Sequence, residues 1–327
     1  MKKLLLIISV LLLGISVLHA QNNKYGMKLK DGAIVGINQY KAIGINAESL
    51  PDALVPYKEK YPCLDKQSQK DVIPQDIVYK RKKDGSELHI LFFPAKTDSK
   101  KAPVVFQIHG GSWWHGSYAA KGTQRILKTL AGKYGIAGVS IQYTFASVEG
   151  TLMEDTIQDC YDAVEYVFAH AKEFGIDTKR IGFMGQSAGG HLAGMCALHF
   201  PSTKALAGHY GAYDLVETLN NYAPKGSKKS ERYVVYLKDW NIEYMKKVSP
   251  RFNITKKNCK FASRIYAGTA DITVPCSVGV HFVEALKQAG AKDVELILYE
   301  NVTHSIGSSY KGNDMWSTTI ELFKEKL

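Results

Sequence analysis

The sequence is poor in cysteine and proline, and past its first twenty residues it has no long apolar run. Five cysteines in 327 residues, Cys63, Cys160, Cys196, Cys259 and Cys276, are too sparse for a disulfide-dense scaffold. Their odd number leaves at least one thiol free. Cys160 and Cys196 fall on predicted helix faces and read as small buried hydrophobes. Cys259 and Cys276 bracket a predicted strand whose ends lie roughly 20 Å apart, against the ~7 Å that a disulfide tolerates. No C-x-x-C and no H-E-x-x-H occurs, so no metal site and no cofactor is expected. Internal repeats and low-complexity linkers are also lacking, which argues for one domain. Blocks of like charge are absent too. Lys and Arg number 42 against 31 Asp and Glu, a net charge of +11, yet the basic residues are scattered. That reads as a solvated basic surface, and no nucleic-acid partner is expected. With 45% hydrophobic and 22% charged residues the composition is that of a globular protein, not of a fibre, a coiled coil or a disordered chain.

The first twenty residues stand apart. Lys2 and Lys3 precede an apolar stretch from Leu4 to Leu18, and His19-Ala20 leads into polar Gln21-Asn22-Asn23. This is the pattern of a cleaved secretory signal peptide over residues 1–20, so the mature protein is expected to be secreted or periplasmic. The run is shorter than the ~20 residues of a membrane span; the alternative is an uncleaved anchor. The absence of a cysteine near the cut speaks against a lipoprotein. No stable membrane insertion of the mature chain is expected. Residues 21–72 have weak periodicity and read as an N-terminal extension that wraps the core or joins a lid.

From residue 73 onward strands and helices alternate. Strands are expected at 73–80 and 88–93, joined by the turn Lys83-Asp84-Gly85, then at 103–108, 136–143, 180–184, 205–209, 261–267 and 294–299. Helices are expected at 121–134, 152–174, 188–198, 277–289 and 316–326. In the second of these Ile157, Cys160, Tyr161, Val164 and Val167 recur at helical spacing. The alternation argues for an α/β fold with a mostly parallel sheet covered on both faces, residues 73–327 forming the catalytic domain.

The chemistry sits where strands end. Gly185-Gln186-Ser187-Ala188-Gly189 is a G-x-S-x-G between a predicted strand and a predicted helix. The tight turn projects the Ser187 hydroxyl above the sheet, and only small neighbours at 185 and 189 permit it. A serine hydroxyl needs a base. His304 lies in a polar loop just after the last predicted strand, and Asp271 lies just after the penultimate one, placed to orient the imidazole. The order Ser187, Asp271, His304 is that of the α/β-hydrolases. His191, one turn past the serine, reads as a packing residue under the elbow, and His170 and His281 as surface or packing residues. The oxyanion of an acyl transfer needs N–H donors. By analogy these are the amides of Gly110, Gly111 and Ser112, after the strand ending at His109, and that of Ala188. His109 itself reads as a tie within the loop.

His109-Gly110-Gly111-Ser112-Trp113, Gly185-Gln186-Ser187-Ala188-Gly189-Gly190, Gly268-Thr269-Ala270-Asp271 with Val274-Pro275, and His304 together resemble the hormone-sensitive-lipase-like branch of the α/β-hydrolases. Within it they resemble bacterial carboxylesterases that include feruloyl and acetyl-xylan esterases. The resemblance covers residues 73–327 and implies an eight-stranded, mostly parallel sheet, helices on both faces and a lid. Two departures lie near the expected pocket. Ser112 stands where many relatives have glycine, and Gln142-Tyr143-Thr144 stands where relatives often carry Asp-Tyr-Arg. Both are expected to alter acyl or alcohol preference. Trp113 and Trp114 are expected to wall the pocket and contact substrate.

Residues 213–258 form the lid or insert. They contain Tyr213, Tyr222, Tyr233, Tyr236, Trp240, Tyr244 and Phe252, with ten Lys and Arg against five Asp and Glu. Aromatic faces stack on sugar or phenolic rings and lysines attract acidic groups. Equally, the aromatics anchor a lid and the lysines are solvated. The expected function is an exported serine carboxylesterase removing acetyl or feruloyl groups from plant polysaccharide or oligosaccharide, through an acyl-enzyme. The alternatives are an amidase or formamidase, and an exported serine peptidase on the same fold. A peptidase of the prolyl-oligopeptidase type usually has Tyr after the nucleophile, where this chain has Ala188. A non-catalytic binding protein would usually have lost one of Ser187, Asp271 and His304.

Overall fold

Seven consecutive residues, Ala102–Ile108, are all buried, a pattern that fits a strand covered on both faces. A computed structural model describes residues 69–299, 302–304, 306 and 315–327, with backbone pairings at 27–28, 34–35 and 54–55. Residues 1–20, where a signal peptide is expected, Cys63 and most of the extension lie outside the described residues. The strands are β1 (Gln75–Arg81), β2 (Glu87–Phe93), β3 (Ala102–Ile108), β4 (Ala137–Ile141), β5 (Ile176–Gln186), β6 (Thr203–His209), β7 (Ala262–Gly268) and β8 (Val294–Tyr299). Their order across the sheet is β1-β2-β4-β3-β5-β6-β7-β8. β1 and β2 pair antiparallel, β2 runs antiparallel to β4, and every other pairing among these eight is parallel. A ninth, two-residue strand, Leu54–Val55, adds parallel to the outer edge of β8. It extends the eight strands expected by one and belongs to the segment expected to wrap the core or join a lid.

The helices are α1 (Lys121–Tyr134), α2 (Met153–Ala169), α3 (Ala188–His199), α4 (Leu215–Tyr222), α5 (Ile242–Lys247), α6 (Cys276–Gln288) and α7 (Met315–Lys326). They divide the apolar side chains into two cores. On one face Val104, Phe106 and Ile108 of β3 pack with Ile157 and Val164 of α2, Leu192 of α3 and Phe282 of α6. On the other Val105 packs with Ile126 and Leu130 of α1 and with Ile320 and Phe323 of α7. Phe106, Phe183 and Phe200 stack in succession, centroids 5.3 and 6.1 Å apart. Cys160, Cys196, Cys259 and Cys276 are buried and form no disulfide among the described residues.

Two boundaries differ from the sequence reading. α2 stops at Ala169 rather than 174, because the chain turns through Gly175 in the left-handed region (φ 62°) and the Ile176 amide donates to Ala171 O at 3.0 Å. β5 begins at Ile176 rather than 180. Its polar start, Asp177-Thr178-Lys179-Arg180, stays extended because Arg180 ties three segments. Its guanidinium donates to Asp177 Oδ2 (2.9 Å), Lys101 O (2.8 Å) and Leu327 O (3.0 Å).

Residues 213–258 cover the first core. Asp214 caps α4 by accepting from Glu217 N (3.0 Å), and Asn241 caps α5 by accepting from Tyr244 N (2.9 Å). Tyr213, Tyr233, Tyr236, Trp240 and Tyr244 point inward and are buried. Tyr213 stacks on Phe282 at 4.2 Å, and Tyr236 donates its hydroxyl to Thr156 Oγ1 at 2.8 Å. These aromatics fasten the insert to the core, whereas Phe252 is exposed. Phe183→Ala removes the middle of the phenylalanine stack, and is expected to cost about 3–5 kcal/mol in urea unfolding.

Candidate active site

β3, β5, β6, β7 and β8 all end on one edge of the sheet, and the residues that follow them meet there. Ser187 follows β5 with φ 55° and ψ −121°, a backbone that L-residues avoid. Its amide donates to His209 O, the end of β6, at 2.9 Å. A Cβ on Gly185 would sit 2.1 Å from Gly189 O, so the turn closes only with glycine there. Asp271 follows β7 and is 2% exposed. One of its oxygens, Oδ1, accepts from the Thr273 and Val274 amides at 2.8 and 3.0 Å. The other, Oδ2, lies 2.6 Å from His304 Nδ1, and His304 Nε2 lies 2.9 Å from Ser187 Oγ. The structure therefore brings Ser187, His304 and Asp271 into one hydrogen-bonded line. Tyr210, after β6, sets its ring edge-on to the imidazole at 4.8 Å.

The loop after β3 turns beside this line. Gly111 has φ 124°, and a Cβ there would meet His115 O at 1.8 Å. Ser112 and Trp113 are also left-handed, at φ 54° and 57°. The turn is closed by the Trp114 and His115 amides, both donating to Gly111 O at 3.0 Å. Among the described residues the amides of Gly110, Gly111, Ser112 and Ala188 donate to no other backbone carbonyl. Gly110, Gly111 and Ser112 line one cavity with Ser187, Ala188 follows it in the chain, and the N-terminus of α3 adds a favourable field for negative charge.

His109 is buried beneath the loop. Its Nδ1 lies 2.7 Å from Gly110 O, and its ring stacks on Tyr143 at 4.4 Å. His191, also buried, donates from Nε2 to Val248 O at 2.6 Å and accepts from Trp113 Nε1 at 3.2 Å. Both tie packing together, as their positions suggested. Burial pushes the imidazoles of His109 and His191 down to about 4, and that of His209 to about 3.

Gly110, Gly111, Ser112, Ser187, Tyr210, Tyr222 and His304 are among the residues lining a cavity of about 490 Å³. Two expected contacts are corrected. Trp113 is 2% exposed and lines the core instead of the cavity. The left-handed backbone at 112–113 turns its indole inward, against His191 and Tyr233. Trp114 does not line the cavity either; Arg232 lies over its ring. Nor do residues 142–144 reach it. The Gln142 side chain accepts from His89 N (3.0 Å), and the Thr144 amide donates to Asp159 Oδ2 (3.0 Å), which ties that segment to β2 and α2. Conversely His115, Gln186, Tyr210 and Thr273 line the cavity without having been singled out, and of the insert aromatics named from the sequence Tyr222 lines it. Gln186 lay inside the elbow motif already quoted, whereas His115 lies two residues past the quoted loop motif.

The sequence model of the BD-FAE family matches residues 90–286. An isoprenylcysteine alpha-carbonyl methylesterase, ICME of Arabidopsis thaliana, is 29% identical over 236 residues, 66% of this chain and 53% of its own length. Esterase LipC of Mycobacterium tuberculosis is 29% identical over 211 residues, 60% of this chain and 51% of its own. The chain thus spans about half the length of these curated relatives. Among solved structures, a thermophilic esterase from Thermogutta terrifontis superposes with TM-score 0.61 at 25% identity, covering 77% of this chain and 90% of the other. A bifunctional GH43-CE protein of Bacteroides eggerthii shares the fold, with TM-score 0.64 at 21% identity over 77% of this chain and 35% of its own. The fold is that of the α/β-hydrolases.

Two outcomes follow from the buried groups. Trp113→Phe leaves His191 Nδ1 without its donor, which should cost about 1–3 kcal/mol of stability while KM for a short ester stays within about twofold. His109, His191 and His209 have folded values below the ordinary 6.5. The unfolded chain therefore binds protons that the folded one does not. Their stabilisation is complete above pH ~6.5 and is lost as pH falls towards ~4. The unfolding free energy from urea titrations should drop through that window with a slope approaching ~1.4 kcal/mol per pH unit for each imidazole.

Proposed function

The chain belongs to the BD-FAE family, and we propose that it is a serine carboxylesterase working through an acyl-enzyme on Ser187. One observation carries the reading: His304 Nε2 stands 2.9 Å from Ser187 Oγ while its Nδ1 meets a buried carboxylate at 2.6 Å. The imidazole takes the Ser187 proton as Oγ attacks the ester carbonyl. Asp271 accepts from Nδ1–H through Oδ2 alone, since two backbone amides hold its other oxygen. That fixes the tautomer with Nε2 free to accept, and it stabilises the imidazolium that forms. The oxyanion lies against the amides of Gly111, Ser112 and Ala188, with Gly110 beside them. Each such donor is typically worth ~10²–10³ in rate. Collapse of the intermediate passes the proton from His304 Nε2 to the departing alkoxide. Water, deprotonated by the same imidazole, then frees the acid from Ser187.

The finer reading is an exported enzyme that removes acetyl or feruloyl groups from plant polysaccharide or oligosaccharide. Three features support it: the apolar N-terminal run behind Lys2 and Lys3, membership of BD-FAE, and an open cavity with polar walls such as Gln186, Ser117 and Tyr222. The esterase relatives and the Thermogutta terrifontis esterase support the reaction class.

Hydrolysis of p-nitrophenyl acetate by the protein should fall by up to ~10⁶ in Ser187→Ala. It should fall by roughly 10⁴ in Asp271→Asn, which keeps the hydrogen bonds but reverses the tautomer. Equal activity of Ser187→Ala and the parent would remove the assignment. Inactivity of the parent on esters alongside cleavage of anilides would move the reaction class to amides.

A further inference from the structure

Two cations without an acidic partner lie on aromatic rings beside the oxyanion loop, Lys229 on a ring that lines the cavity and Arg232 on one next to it. Lys229 lies on the face of Tyr222, its Nζ 4.4 Å from the ring centroid. Arg232 lies over Trp114, its Cζ 5.1 Å from that centroid. Both are exposed. Both platforms are tied to the loop that flanks the nucleophile. Tyr222 lines the cavity and sets its hydroxyl 3.5 Å from Ser112 Oγ, and Trp114 bonds Gly111 O through its amide. Tyr233, next to Arg232, donates its hydroxyl to Ser112 O at 3.1 Å.

Five of the other eight basic side chains of the insert are engaged, and Lys228, Lys256 and Lys257 lie off the two aromatic platforms. Lys225 pairs with Asp239 (3.6 Å), Lys238 and Lys247 with Glu154 (3.0 and 3.3 Å), Lys246 with Glu243 (2.9 Å) and Arg251 with Asp214 (2.8 Å). Among the described residues Lys229 and Arg232 enter no ion pair, and no carboxylate lines the cavity. Resting on an aromatic face limits the rotamers of each cation; Lys229 keeps its ammonium N–H groups for an anion, while Arg232 also bonds the Tyr233 hydroxyl and offers its remaining N–H groups.

We propose that Lys229 and Arg232 form an anion-recognition rim, and that the ester hydrolysed at Ser187 bears a second, negatively charged group, a carboxylate on the alcohol portion. The inference rests on the esterase reading above and names a substrate class for it. A uronate sugar or a hydroxybenzoate carries such a carboxylate. At exposed positions each cation contributes only a few-fold in binding, and the effect weakens with salt.

The test compares 4-acetoxybenzoate with 4-acetoxybenzamide, which match in size and differ in charge, beside p-nitrophenyl acetate. The readout is the ratio of kcat/KM for the anionic over the neutral ester, so a general loss of activity cancels. At low ionic strength the parent should exceed the Lys229→Gln/Arg232→Gln double variant in this ratio by about tenfold. The two should converge near 0.5 M NaCl, where screening acts over about 4 Å. Lys229→Arg and Arg232→Lys should retain most of the preference. An equal ratio in parent and double variant overturns the rim. So does an equal fall in the charge-conserving variants, which would mark a packing effect. If p-nitrophenyl acetate is cleaved and the ratio does not move, only the rim is wrong. If none of the three aryl acetates is cleaved, the esterase reading fails and the rim falls with it.

Discussion

The left-handed backbone of Ser187 is the constraint on which the rest of the site depends. A non-glycine residue at φ 55°, ψ −121° costs on the order of 1–3 kcal/mol and persists only where its surroundings over-determine it. Here they do. The Ser187 amide is held by His209 O, and Gly185 and Gly189 approach so closely that a Cβ on the first would meet the carbonyl of the second. β5 is also paired on both sides, by β3 and β6, through residues that are buried almost throughout. Because β5 is central, the ends of its neighbours surround the hydroxyl it projects. The imidazole and carboxylate arrive on separate loops after β8 and β7, yet one sheet sets their spacing.

The oxyanion loop is supported differently. Its left-handed residues, Gly111, Ser112 and Trp113, keep several amides from finding backbone partners, which has a cost wherever they are withdrawn from water. That cost is borne by side chains packed below. Trp113 reaches down to His191, Tyr143 donates to His109 O at 3.0 Å, and Tyr233 holds Ser112 O from the insert. The imidazoles in this layer must be uncharged to serve as packing, and burial keeps them so. The same inward turn of Trp113 that braces the loop takes the residue out of the cavity.

Much of this was legible in the residues, for reasons that differ by element. The central strands read clearly because a strand buried on both faces needs an unbroken apolar run, as 103–108 has. The elbow read clearly because its geometry tolerates few residue types, and Asp271 and His304 followed from their places after the last two strands. Trp113 was misread because sequence order places it beside the oxyanion amides, while the positive φ at 112 and 113 sends its side chain the other way. Tyr210 was missed for a related reason, and Tyr222 was named only together with aromatics that proved to be anchors. An aromatic residue just past a strand, or at the end of a short helix, has no pattern that separates cavity wall from core. The polar start of β5 was missed because the carbonyls that Arg180 satisfies come from distant segments.

The insert shows how one segment divides between anchorage and selectivity. Its inward face is aromatic and buried, so it is fixed to α2 and α6 and does not hang loosely over the cavity. Its charges are on the outside, and most of those that have acids nearby are paired. Asp271 lies behind His304, whose Nδ1 meets its Oδ2, and burial keeps the His109 imidazole neutral under the loop. The unpaired cations of the insert act in the same sense as the overall charge of +11. Steric fit at Ser187 and charge at the rim are carried by different segments, so the charge preference can change by substitution in the insert without disturbing the strained turn that holds the nucleophile.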